Sequence, residues 1–117
     1  MGVVHHAKYL EYFEAARVDA LRQLGLDYAS VVAQGLHLVV IEAVVRYVKP
    51  ARFDDVLDVH TRAADLGVAR FSFEYRVLHD GDLIATGHTG HACVDAARMR
   101  PQRLPSWLVD ELRRLSS

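Results

Sequence analysis

From Arg70 to Leu78 apolar and polar side chains alternate without a break. Phe71, Phe73, Tyr75 and Val77 fall on one face of an extended chain; Arg70, Ser72, Glu74 and Arg76 fall on the other. A sustained period of two predicts a strand with one buried and one wet face, the habit of antiparallel sheets. Such a strand needs neighbours, and the flanking sequence supplies them. His79-Asp80-Gly81-Asp82 carries the Asp-Gly hairpin signal, and Leu83 to Val94 reads as the returning strand. Gly87 and Gly90 inside it predict bulges or a close backbone approach. Leu36 to Val48, rich in Val, Ile and Leu, predicts a further strand that Pro50 ends; Val56 to Ala64 predicts another. Strict alternation in the first of these puts His37, Val39, Ile41, Ala43, Val45 and Tyr47 on one face. Leu38, Val40, Glu42, Val44 and Arg46 take the other.

N-terminal to the strands the period changes. Tyr9, Tyr12, Phe13, Ala16, Ala20 and Leu24 recur at three- and four-residue steps, which predicts a helix over about Ala7 to Leu24, stopped by Gly25. Asp27 is placed to cap a short helix, Tyr28 to Ala33, closed by Gly35, and Ser106 to cap a last helix, Trp107 to Leu115. A long helix followed by antiparallel strands is an α+β domain, here a single one over residues 1–117. One helix covers only part of so large a sheet, so self-association is expected.

Composition narrows the function. With 14 Lys+Arg against 15 Asp+Glu the net charge is -1, too balanced for a nucleic-acid or anionic-membrane field. No apolar run approaches the ~20 residues of a membrane span, and Met1 to His6 has no signal-peptide pattern, so a cytoplasmic protein is expected. Cys93 is the only cysteine and sits in a strand pattern, which predicts a small buried residue. His88 and His91, three apart on a strand, point to opposite faces, and no metal-ligand cluster is present in the sequence.

The chemistry concentrates at the start of the long helix, in Gly2-Val3-Val4-His5-His6-Ala7-Lys8-Tyr9 and on to Phe13-Glu14-Ala15-Ala16-Arg17. A helix N-terminus presents unpaired N–H groups and the positive end of the dipole, which stabilise an oxyanion. This segment resembles the start of the acyl-CoA thioesterases of the hotdog fold, in the subgroup of 4-hydroxybenzoyl-CoA thioesterase and the Tol–Pal-associated thioesterases. Downstream, Arg46-Tyr47 with Pro50-Ala51-Arg52-Phe53-Asp54-Asp55, the strand His91-Ala92-Cys93-Val94-Asp95, and Pro101-Gln102-Arg103-Leu104-Pro105 resemble family elements in the same order. Lys8 departs from the Asn or Ser usual at its place.

The resemblance implies a hotdog fold, a long antiparallel sheet wrapped around a central helix, and hydrolysis of a small, medium-chain or aromatic acyl-CoA. It implies no cofactor beyond the CoA of the substrate and no metal. The backbone amide of His6 would bind the thioester oxygen, and a carboxylate would act as nucleophile or base. The family's Asp falls three residues before the glycine matched by Gly2, upstream of Met1, as does a first strand. The expectation is therefore a longer N-terminal segment; failing that, Glu14, with His5 and His6, is the candidate for the missing group. His6 and Glu14 are thus the candidate catalytic residues, and His5, Tyr9 and Arg70 the candidate substrate-binding ones. The family also implies a homodimer with one continuous sheet, expected to pair into a homotetramer. A non-catalytic acyl-thioester binder of the same fold is the alternative reading.

Overall fold

A computed structural model of the chain describes residues 6–52 and 54–116, with the side chain of His6 outside the description. The elements run α1 (His6–Gln23), α2 (Tyr28–Ala33), β1 (Leu36–Tyr47), β2 (Asp58–Ala64), β3 (Arg70–His79), β4 (Asp82–Asp95), β5 (Arg100–Pro101) and α3 (Ser106–Arg114). The long strands form one antiparallel sheet in the order β1-β4-β3-β2. The short β5 pairs with the end of β4, beyond the last β3 partner.

Local chemistry explains most boundaries. At the end of α1, Gly25 takes a left-handed φ of 76°, Leu26 N–H bonds to the Leu21 carbonyl and Gly25 N–H to that of Arg22. That is a Schellman closure, available to glycine without a Cβ penalty. The Asp27 carboxylate accepts from Ser30 N–H at 2.9 Å and opens α2; hydrogen bonding from Ser30, its side chain first and then its backbone, holds the pKa below the usual carboxylate value. His79 pairs with Asp82, leaving Asp80 and Gly81, both with positive φ, as the two-residue turn that suits the strand twist. One expected cap differs. Ser106 lies inside α3, and Pro105 holds the N-cap place in an extended conformation, its carbonyl accepting from Leu108 and Val109. The helix therefore starts at Ser106, one residue earlier than a serine cap would set it.

The inward face of the sheet carries Phe71, Phe73, Tyr75 and Val77 of β3, none more than 2% exposed. α1 crosses this face and buries Tyr9 and Phe13. The Phe13 ring stacks on Tyr75, centroids 4.3 Å apart, directly over Gly87. Leu108 and Leu112 of α3 complete the core. On the outward face, Arg62 pairs with Glu74 and His88 with Glu42, each at 2.6 Å.

The two faces expected for β1 require correction. Val40 pairs with His91 but Glu42 with Gly90, so Ile41 is an extra residue in the ladder. A bulge shifts the alternation by one. The inward set is therefore Leu36, Leu38 and Val40 before the bulge, then Ala43, Val45 and Tyr47 after it. The bulge lies on β1, opposite Gly90, while Gly87 is the site of close approach.

Candidate active site

Residues from α1, α2, β1, β3 and β4 line a cavity of about 200 Å³ that opens to solvent past Val18 and Tyr28. Leu21, Leu26, Val31, Leu36, Phe71 and Phe73 make it mainly apolar. Its polar wall is narrow: Glu14 and Arg17 on α1, Asp27 at the cap of α2, His37 on β1, and His91 on β4.

Three hydrogen bonds tie part of that wall together. Arg17 Nη1 donates to the Tyr75 hydroxyl at 3.0 Å, Tyr75 Oη lies 2.7 Å from Thr89 Oγ1, and Thr89 Oγ1 lies 2.8 Å from His91 Nε2. His91 is stacked on Phe71 and edge-on to Phe73. Burial, and secondarily the Arg17 charge, lower its pKa to about 4, so the ring is neutral at physiological pH. Arg17 takes part in no ion pair among the described residues. A half-buried guanidinium with a neutral partner keeps its remaining N–H donors for something else.

The expected site residues divide. His5 lies outside the described residues. His6 is the first residue of α1, so its backbone amide belongs to the unpaired donors of the helix start. Glu14 lines the cavity. Tyr9, at 1% exposure, is packed edge-on against Tyr12 and Tyr47; burial and then those two phenols raise its pKa. Arg70 stands on the outward face beside Glu42, Asp65 and Ser72, in a depression that shares Phe71 and His91 with the cavity but none of its α1 or α2 residues. Cys93 is fully buried and burial raises its thiol pKa, which leaves it a packing residue rather than a nucleophile. Asp55 accepts from Arg52 N–H at 2.8 Å, so this carboxylate serves the local backbone rather than the cavity. His91, Thr89 and Tyr75 were not among the expected site residues. The signal was present: Thr89 and His91, two apart, interrupt an otherwise apolar face.

The sequence matches the family model of the thioesterase-like superfamily over residues 1–112. The chain belongs to the thioesterase-like superfamily. It is 31% identical over 113 residues to the acyl-CoA thioester hydrolase YbgC of Escherichia coli, spanning 96% of this chain and 84% of that one. Among solved structures, the hypothetical protein TT1821 from Thermus thermophilus superposes with a TM-score of 0.88 at 43% identity, covering 98% of this chain and 88% of that one. The DHNA-CoA thioesterase from Staphylococcus aureus superposes with a TM-score of 0.83 at 31% identity, over 94% and 74% of the two chains. This superfamily member therefore has the hotdog fold of acyl-CoA thioester hydrolases, and no helix among its described residues is long and apolar enough to cross a membrane.

Proposed function

We propose that the chain hydrolyses a medium-chain or aromatic acyl-CoA whose acyl group lodges in the cavity between α1, α2 and β1. The observation that carries this reading is the cavity itself: lined mainly by aliphatic and phenyl side chains, it lies along the helix whose first turn offers free amides. The His6 amide polarises the thioester carbonyl, water adds to the carbon, and the thiol of CoA leaves with the proton, giving the free acid. A backbone donor suits this work because it is fixed before the charge develops.

Glu14 lies eight residues from His6, about 12 Å along the helix axis. A general base must come within hydrogen-bond reach of its water, directly or through one bridging water. We therefore assign Glu14 to the acyl end of the site, where it orients the bound group. The chain is proposed to dimerise through the free edge of β1, where Val40 and Ile41 are half exposed beside the bulge, and the dimers to pair into tetramers. A cytoplasmic location fits a CoA-dependent reaction and a lone buried thiol.

Thiol release from a panel of acyl-CoAs tests the activity. Turnover that rises from acetyl towards medium-chain or aromatic groups is expected. Calorimetric binding of those same thioesters with no thiol release would replace the enzyme by an acyl-thioester binder.

A further inference from the structure

We infer that the outward face of the sheet holds a second site, for a free diphosphate, inorganic or at the end of a nucleotide, built on Arg46, Thr86 and Arg76. The inference does not depend on the cavity being the acyl site. It begins with the strand register. Thr86 of β4 pairs with Arg46 of β1 on one side and with Arg76 of β3 on the other, and Arg76 pairs in turn with His60 of β2. One row across the sheet therefore reads Arg46, Thr86, Arg76, His60, with no carboxylate in it. Neighbouring strands lie about 4.8 Å apart, which sets the two arginine backbones roughly 10 Å apart with Thr86 between them.

The acids nearest this row are engaged elsewhere. Arg62 holds Glu74 Oε1 through both Nε and Nη2, each at 2.6 Å, and His88 Nε2 lies 2.6 Å from Glu42 Oε1. Asp58 sits two residues before His60 on the same face of β2, at the end of the row away from Arg46. Arg46 and Arg76 are exposed and make no side-chain hydrogen bond or ion pair among the described residues. Two unpaired guanidiniums on one row repel each other, and an anion held between them removes that repulsion.

The surface here is concave. Arg46, Arg76, Thr86 and His88 surround a depression floored by the β4 backbone at Gly87, and a second depression continues past Arg76 to His60 and Arg62. A hollow a few side chains wide suits a small ligand; an acidic protein would need a broad flat patch. Planar forks approaching from two sides match phosphoryl oxygens. Two forks separated by a hydroxyl donor suit two linked phosphoryl groups better than one. The occupant is not the CoA of a bound substrate. The cavity and α1 lie on the inward face of the sheet and the arginine row on the outward face, so the sheet stands between them.

Calorimetric titration with pyrophosphate, ADP and sulfate tests the site. Pyrophosphate and ADP are expected to bind once per chain, about tenfold or more tighter than sulfate. Arg46→Gln and Arg76→Gln should each weaken pyrophosphate about tenfold, while Arg100→Gln, on β5, should leave it within about twofold. Melting curves separate binding from folding: pyrophosphate should raise the melting temperature of the parent and not that of the doubly substituted chain, whose own melting temperature without ligand should be no lower. A decanoyl-CoA thioether at one equivalent per chain, above its own Kd, should leave the pyrophosphate Kd within about twofold. Absence of pyrophosphate binding, equal Kd values for sulfate and pyrophosphate, or unchanged Kd values in both arginine variants would overturn the inference. Displacement of pyrophosphate by the thioether would overturn it too, since the row would then seat the substrate's own diphosphate. None of these readings requires hydrolysis, so failure of the thioesterase reading leaves this one standing.

Discussion

Replacing Gly87 by alanine tests the seating of α1 on the sheet. A Cβ at this position would lie 2.4 and 2.6 Å from Cε2 and Cζ of Phe13 and 2.5 Å from the Val44 carbonyl oxygen. Ordinary carbon–carbon contact is about 3.5–4.0 Å, so the new atom overlaps its neighbours by roughly 1 Å on two sides. Neither neighbour yields easily. Phe13 is fully buried and stacked on Tyr75, and the Val44 oxygen belongs to the β1 backbone, whose next residue pairs with Gly87. Relief requires α1 to lift or the β1–β4 ladder to part. That places the cost at about 3 kcal/mol, the upper end of overpacking. For a chain of this length the melting temperature should fall by roughly 12 °C. Gly90→Ala is the control: its Cβ would meet Glu42 Cβ at 3.5 Å and Ile41 Cγ1 at 3.7 Å, both ordinary contacts, and the expected change is within about 0.5 kcal/mol. Calorimetric melts and urea curves of the two variants measure the difference. Equal melting temperatures would refute the close approach of helix and sheet at Gly87.

Further outcomes follow from the same contacts. Because folding holds the His91 pKa near 4 while the unfolded imidazole titrates near 6.5, protons favour the unfolded chain between those values. Stability should fall as pH drops from 6.5 towards 4, by about 2 kcal/mol at pH 5, and His91→Phe should remove that part of the slope; urea midpoints that fall equally in both proteins would contradict it. Tyr75→Phe removes the partner of Arg17 Nη1 and one of the two partners of Thr89 Oγ1, and should cost about 1–3 kcal/mol by urea unfolding. Leu112→Ala, at a fully buried position of α3, should cost about 2–5 kcal/mol, read by the same method. Glu14→Gln should raise KM several-fold with kcat nearly unchanged, and a kcat loss of about a hundredfold would instead make Glu14 the base.

What could be read from the sequence was whatever its own neighbourhood decides. The alternation of Phe71, Phe73, Tyr75 and Val77, the Asp80-Gly81 turn, the Gly25 stop and the Asp27 cap all depend on residues within a few positions, and each takes the expected form. The Ile41 bulge is different. It is a property of the β1–β4 register, set by two strands far apart in the chain, and a two-residue period read along β1 alone passes over it. The site shows the same division. The helix start at His6 was legible as a source of free amides, and Glu14 does line the cavity. The relay was not legible, because it needs Arg17 from the helix, Tyr75 from β3, and Thr89 and His91 from β4 brought together by packing. Along the chain His91 looked like half of a poor metal pair with His88; across the sheet His88 faces Glu42 outside and His91 faces the cavity.

The most direct test of the proposed acyl site is a crystal structure with a non-hydrolysable acyl-CoA thioether. The prediction is an acyl group inside the cavity, passing Glu14 and ending beside Arg17 and His91, with the CoA arm leaving past the first turn of α1. An acyl group bound on the outward face beside Arg70, with the cavity empty, would contradict it.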